Sequence, residues 1–151
     1  MKSSLGTLLD SGESGLFLLE GTGDADTEVV ALQARARGYQ FLNLDCRAVA
    51  NKAALMQAAK QTFQLPAYFG ENWDALTDCL MDLSWLPGLR WVLLVGGLQR
   101  LWAEDPESYR TTLEILREAC AFWEEQERPF IVLLREDCGP EAASSPPVAF
   151  A

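Results

Sequence analysis

Between Lys60 and Arg90 the chain carries Glu71, Asp74, Asp78 and Asp82 and no basic residue. Read at 3.6 residues per turn from about Asn72, Asp74, Asp78 and Asp82 share one face of a helix, with Glu71 at its lip. Trp73, Leu76, Leu80 and Leu83 form the opposite, apolar stripe. One side anchors the helix; the other presents negative charge that no i,i+4 ion pair can neutralise. Carboxylates so placed suit three chemistries: acid–base hydrolysis, ligation of a hard cation, or recognition of a cationic surface.

The first two are disfavoured. Paired catalytic carboxylates face each other across a cleft, and one turn of a surface helix offers no opposing wall. Hard cations gather oxygen ligands from several segments, so no metal site is assigned. Histidine is absent, and Cys46, Cys79, Cys120 and Cys138 lie far apart without a C-x-x-C pair, which removes the usual zinc sites and any imidazole base. No catalytic residue and no cofactor is expected. The thiols read as reduced packing groups of a cytoplasmic protein. Asp74 also suits the first turn, where an acid favours the helix dipole; Asp78, further along, has no such explanation.

A second pattern competes. Gly21-Thr22-Gly23-Asp24-Ala25-Asp26 follows an apolar run and precedes a helical one, with Asp45 some way on, which is most of a dinucleotide-binding layout. The third glycine position is Asp26, however, and Asp24 and Glu28 flank it. Carboxylates at a helix start satisfy the dipole and repel a pyrophosphate, so a capped turn is the expectation and nucleotide binding the less favoured alternative.

Charge narrows the partner. The chain of 151 residues has 22 acidic and 12 basic residues, a net charge of -10, with fifteen acids and six bases after residue 60. Such a field repels nucleic acid and anionic membrane and steers a cationic partner. No apolar run reaches the ~18 residues needed to span a bilayer.

The run Leu65-Pro66-Ala67-Tyr68-Phe69-Gly70-Glu71-Asn72-Trp73-Asp74-Ala75-Leu76-Thr77-Asp78-Cys79-Leu80 resembles the signature of the barstar family of ribonuclease inhibitors. Arg117-Glu118-Ala119 is similar to a triplet in the family's last helix. The resemblance covers roughly residues 39 to 136. It implies a partner-binding set of Tyr68, Phe69, Gly70, Glu71, Asn72, Asp74, Thr77, Asp78 and Glu118, and a basic ribonuclease, or another cationic protein, as partner. Asp78 would mimic the central phosphate, Asp74 and Glu118 would pair with basic groups around it, Tyr68 and Phe69 would cover base or guanidinium planes, and Gly70 would allow the turn that aims them. Thr77 stands where the family's known inhibitor has a tryptophan and Phe69 where it has a tyrosine. Leu86-Pro87 aligns with a cis proline.

These residues need a scaffold. Apolar runs at Leu16 to Leu19, Tyr39 to Leu44, Trp91 to Val95 and Phe130 to Leu134 alternate with helical patterns at 26 to 37, 51 to 63, 72 to 83 and 106 to 126. That alternation predicts an α/β fold with a small parallel sheet flanked by helices. Residues 1 to 38 read as an added strand-helix unit placing one edge strand on the same sheet, 39 to 136 as the barstar-like domain, and 137 to 151 as a flexible tail.

Overall fold

The computed structural model describes residues 3–21 and 26–150. Its strands are β1 (Ser3–Ser4), β2 (Gly15–Glu20), β3 (Gln40–Asp45), β4 (Trp91–Gly96), β5 (Phe130–Leu134) and β6 (Pro147–Ala149). They form one parallel sheet in the order β1-β6-β2-β5-β4-β3. The helices are α1 (Leu5–Ser11), α2 (Thr27–Ala36), α3 (Lys52–Thr62), α4 (Trp73–Leu80), α5 (Gln99–Glu104), α6 (Pro106–Glu125) and α7 (Gly139–Ala143). Every residue of β4 and β5 is buried, as expected of central parallel strands covered on both faces.

Strand alternation divides the core in two. Trp91, Leu93, Val95, Phe130, Val132 and Leu134 point to one side, against Leu55 and Met56 of α3, Leu76 and Leu80 of α4, and Leu113, Leu116 and Trp123 of α6. Val92, Leu94, Ile131 and Leu133 point to the other, against Leu5, Leu8 and Leu9 of α1 and Val30 and Ala34 of α2. Among the described residues the N-terminal segment therefore supplies the helices packed on the second face. No helix among the described residues is long and apolar enough to cross a membrane.

Three expectations are corrected. β2 is an interior strand, paired with β5 on one side and β6 on the other, because the C-terminal segment extends the sheet beyond it. That segment is accordingly ordered: α7 buries Ala142, and β6 inserts between β2 and β1 with Val148 buried. The Leu86–Pro87 bond is trans; Leu83 at φ 51° and Gly88 at φ 85° turn the chain on either side of it, and the Leu86 N–H donates to the Leu83 carbonyl at 3.0 Å. Residues 22–25 of the glycine-rich turn lie outside the described residues.

All four cysteines are free and buried. Burial pushes the thiols of Cys46, Cys120 and Cys138 up to about 12. Their pKa values are higher folded than unfolded, so the associated stability is fully present below the ordinary value of 9.0 and is lost as pH rises from there towards about 12. We expect these three to resist alkylation at pH 8 in the native chain and to react at once in denaturant. Rapid native labelling of any of them, read by intact mass, contradicts this packing.

Candidate protein interface

The segment between α3 and α4 is built to hold α4 at a fixed angle. Phe63 ends α3; Leu65 and Phe69 turn inward, and the Phe69 N–H donates to the Pro66 carbonyl at 2.9 Å, closing a tight turn. Asn72 then caps α4, its side-chain oxygen accepting the Ala75 N–H at 2.8 Å, and its amide donates back to the Gly70 carbonyl at 3.3 Å. Leu76, Cys79 and Leu80 anchor the helix in the core, and the Trp123 indole of α6 donates to the Leu80 carbonyl at 2.8 Å. Replacing Asn72 by Ala should cost roughly 0.5–2 kcal/mol of stability. Urea unfolding reads this directly, and an unchanged midpoint would mean that the cap does not hold the helix.

On this support Glu71, Asp74 and Asp78 are exposed together. Among the described residues no salt bridge reaches Glu71, Asp74, Asp78 or Asp82. Glu71 is engaged otherwise: its carboxylate accepts a hydrogen bond from the Gln57 amide of α3. Burial, followed by the charges of Asp78 and Asp82, raises the Cys79 thiol on the same short helix. Tyr68 projects from the preceding turn, 79% exposed, so its ring is available as a contact surface. Glu118 is exposed on α6, while its neighbour Arg117 reaches 3.5 Å to Glu141 of α7.

Other residues of the expected set behave differently. Phe69 is 6% exposed and lies in the core beneath the loop, so it supports the face and does not present a ring from it. The Thr77 hydroxyl donates to the Trp73 carbonyl at 3.0 Å, an internal use of its polar group. The left-handed residue of the turn is Glu71, at φ 53°, rather than Gly70. Gly70 leaves room for the cap: an added Cβ would stand 3.1 Å from the Asn72 amide nitrogen, so that side chain would have to shift by a few tenths of an ångström. Asp82 falls past the end of α4, in the turn leading to Leu83. Trp73 is only partly buried, with the Lys52 ammonium 5.4 Å above its ring, a contact that apolar periodicity does not announce.

The arrangement offers exposed carboxylates on a core-anchored helix and one exposed aromatic ring in the turn before it. It can accept charge-assisted hydrogen bonds from arginine or lysine groups.

No curated protein matches the chain. Among solved structures, the Aeropyrum pernix ORC2 protein, described in ADPNP–ADP complexes, is similar with a TM-score of 0.60 and 11% sequence identity, over 97% of this chain. The chain spans 45% of the length of that structure, and the likeness is one of fold. The profile described as Barstar (barnase inhibitor) matches residues 39–135, which include α4, the turn before it and α6. With close to two thirds of its length matched, and with the anchored acidic helix inside the matched region, the chain belongs to the Barstar family.

Proposed function

We propose that this protein is an inhibitor of a small basic ribonuclease, acting in the cytoplasm to block the enzyme's active site with α4 and the Tyr68 turn. The observation that carries this reading is the exposed Asp74–Asp78 strip, unpaired by salt bridges among the described residues and held on a capped, core-anchored helix. A ribonuclease presents cationic groups to hold phosphates. Preplaced carboxylates can occupy those groups without offering a bond to cleave. Asp78 takes the central position, Asp74 and Glu118 pair around it, and Tyr68 covers a flat group of the enzyme. No catalytic role is assigned to the chain itself, and the ADPNP–ADP complexes of the ORC2 protein do not carry over on 11% identity.

One observation favours a second reading, a cationic target other than a ribonuclease. Of the two loop aromatics Tyr68 and Phe69, only Tyr68 is exposed, and Thr77 adds a hydroxyl already engaged with the backbone. The aromatic part of the face is thus small, and the partner is selected mainly by charge.

The test is titration of a panel of small basic ribonucleases with the full chain, following RNA cleavage at low and moderate salt. A stoichiometric loss of activity is expected for at least one enzyme. Added salt should slow association more than it speeds dissociation, because the net charge of -10 steers the encounter while close pairs hold the complex. Binding to a cationic protein without nuclease activity, with no enzyme inhibited, would select the second reading.

A further inference from the structure

Few large apolar side chains stand exposed among the described residues, and two of them, Val29 at 43% and Leu32 at 61%, lie one turn apart on α2. The same helix already buries Val30, Ala31 and Ala34 against the sheet, so its outer stripe is not needed for the core. Exposed apolar side chains grouped on one helix face mark a contact surface. We propose that the outer face of α2 pairs with a second copy of the chain, the two helices lying antiparallel about a two-fold axis level with Leu32.

At 3.6 residues per turn Leu32 is the centre of the exposed arc, with Val29 and Ala36 on one side of it and Glu28 and Arg35 on the other. A two-fold axis that sets the helices antiparallel keeps each side of the stripe facing its own counterpart. Glu28, four residues before Leu32, then stands opposite Arg35 of the second copy, three residues after it, and the pair forms twice. Val29 stands opposite Ala36 in the same way, and Leu32 meets Leu32 at the axis. Parallel helices would set Glu28 against Val29 and Arg35 against Ala36, leaving both charges without a partner. Within one chain neither Glu28 nor Arg35 forms a salt bridge among the described residues. The Arg35 guanidinium lies 5.9 Å over the partly buried ring of Phe41 on β3, a contact that restricts the directions it takes.

Charge selects a second copy as the occupant. With a net charge of -10 the chain repels its own copies over much of its surface. From Val29 to Leu44, however, it carries no acid, and of its two bases there Arg37 is paired with Asp10 at 2.8 Å. The outer face of α2 is left with one acid and one base, a neutral pattern complementary to itself. It also lies across the sheet from α4, so pairing leaves Asp74 and Asp78 open, and the inference is independent of the ribonuclease reading. A helix of 10 residues is only about 15 Å long, whereas stable interfaces bury roughly 1,200–2,000 Å². The dimer is therefore a weak one that forms with rising concentration.

Sedimentation equilibrium of the full chain from about 1 µM to about 1 mM tests this, and the mass should rise towards twice that of the monomer. Leu32→Glu, at an exposed position, should leave the melting temperature of the dilute chain unchanged and weaken association at least about 30-fold. Glu28→Arg and Arg35→Glu each set like charges opposite one another, and each alone should weaken association roughly 5- to 30-fold at low salt. Mixed in equal amounts, these two variants regain opposite charges at both pairs and should associate at least as tightly as the unmodified chain. A monomer at every concentration would overturn the proposal, as would a dimer that Leu32→Glu leaves intact. A mixture of Glu28→Arg and Arg35→Glu that associates no better than either alone would overturn the antiparallel pairing, and this comparison serves if Leu32→Glu fails to fold.

Discussion

Asp78→Ala is expected to weaken binding to the proposed ribonuclease target by about 30- to 4,000-fold. That range corresponds to the ~2–5 kcal/mol lost when one partner of a buried, hydrogen-bonded charge pair is removed, and barstar itself is among the complexes that inform it. The loss should fall on the dissociation rate. Asp78 is exposed in the free chain and makes no salt bridge among the described residues, so the substitution leaves the fold intact and melting should move little. Asp82→Ala is the internal control. It lies beyond Leu80, off the helix, and should cost no more than about 1 kcal/mol, the worth of an exposed pair. Equal effects of the two substitutions would mean that the helix face acts through diffuse charge and not through a centred carboxylate.

The second large effect concerns the N-terminal segment. A chain starting at Tyr39 retains the residues matched by the Barstar profile but loses α1, β1, β2 and α2. Val92, Leu94, Ile131 and Leu133, all fully buried in the intact protein, would then face solvent, and β5 would become an open edge. At roughly 1.5–3 kcal/mol per buried aliphatic side chain, the exposure of these four costs about 6–12 kcal/mol, comparable to the whole ~5–15 kcal/mol stability of an ordinary domain. β6 would lose both of the strands it pairs with, β1 and β2. We expect the truncated chain to be unfolded or aggregated by circular dichroism and size-exclusion chromatography. A soluble monomer with a cooperative melt near that of the full chain would mean that residues 39–151 form an autonomous domain and that the N-terminal layer is accessory.

Much of this architecture was legible where apolar runs are long. The central strands and α2, α3 and α6 lie within a few residues of their expected positions, because runs such as Trp91 to Val95 are buried on both faces and leave no other reading. The missed elements are those whose order comes from neighbours. Pro147-Val148-Ala149 carries no alternation, and β2 and β1 on its two sides make it a strand. α1 did leave a local signal: Ser4 caps the Thr7 N–H, Leu5, Leu8 and Leu9 share one buried face, and Gly12 closes the helix at φ 68°. At the site, charge and exposure of Asp74 and Asp78 were readable from the absence of bases between Lys60 and Arg90. The inward turn of Phe69 and the left-handed backbone of Glu71 were not, since both depend on how the loop closes over the core.

The central claim is that α4 occupies the active site of a ribonuclease, and competition tests it most directly. An inhibited enzyme is saturated with a non-cleavable mononucleotide bound at its active site, and the affinity of this chain is measured as the nucleotide concentration rises. Mutually exclusive binding is expected, with apparent affinity falling in proportion to the fraction of enzyme left free of nucleotide, and with the weaker binding of Asp78→Ala reduced by nucleotide in the same proportion. Simultaneous binding of nucleotide and inhibitor, with affinity unchanged, would contradict the account.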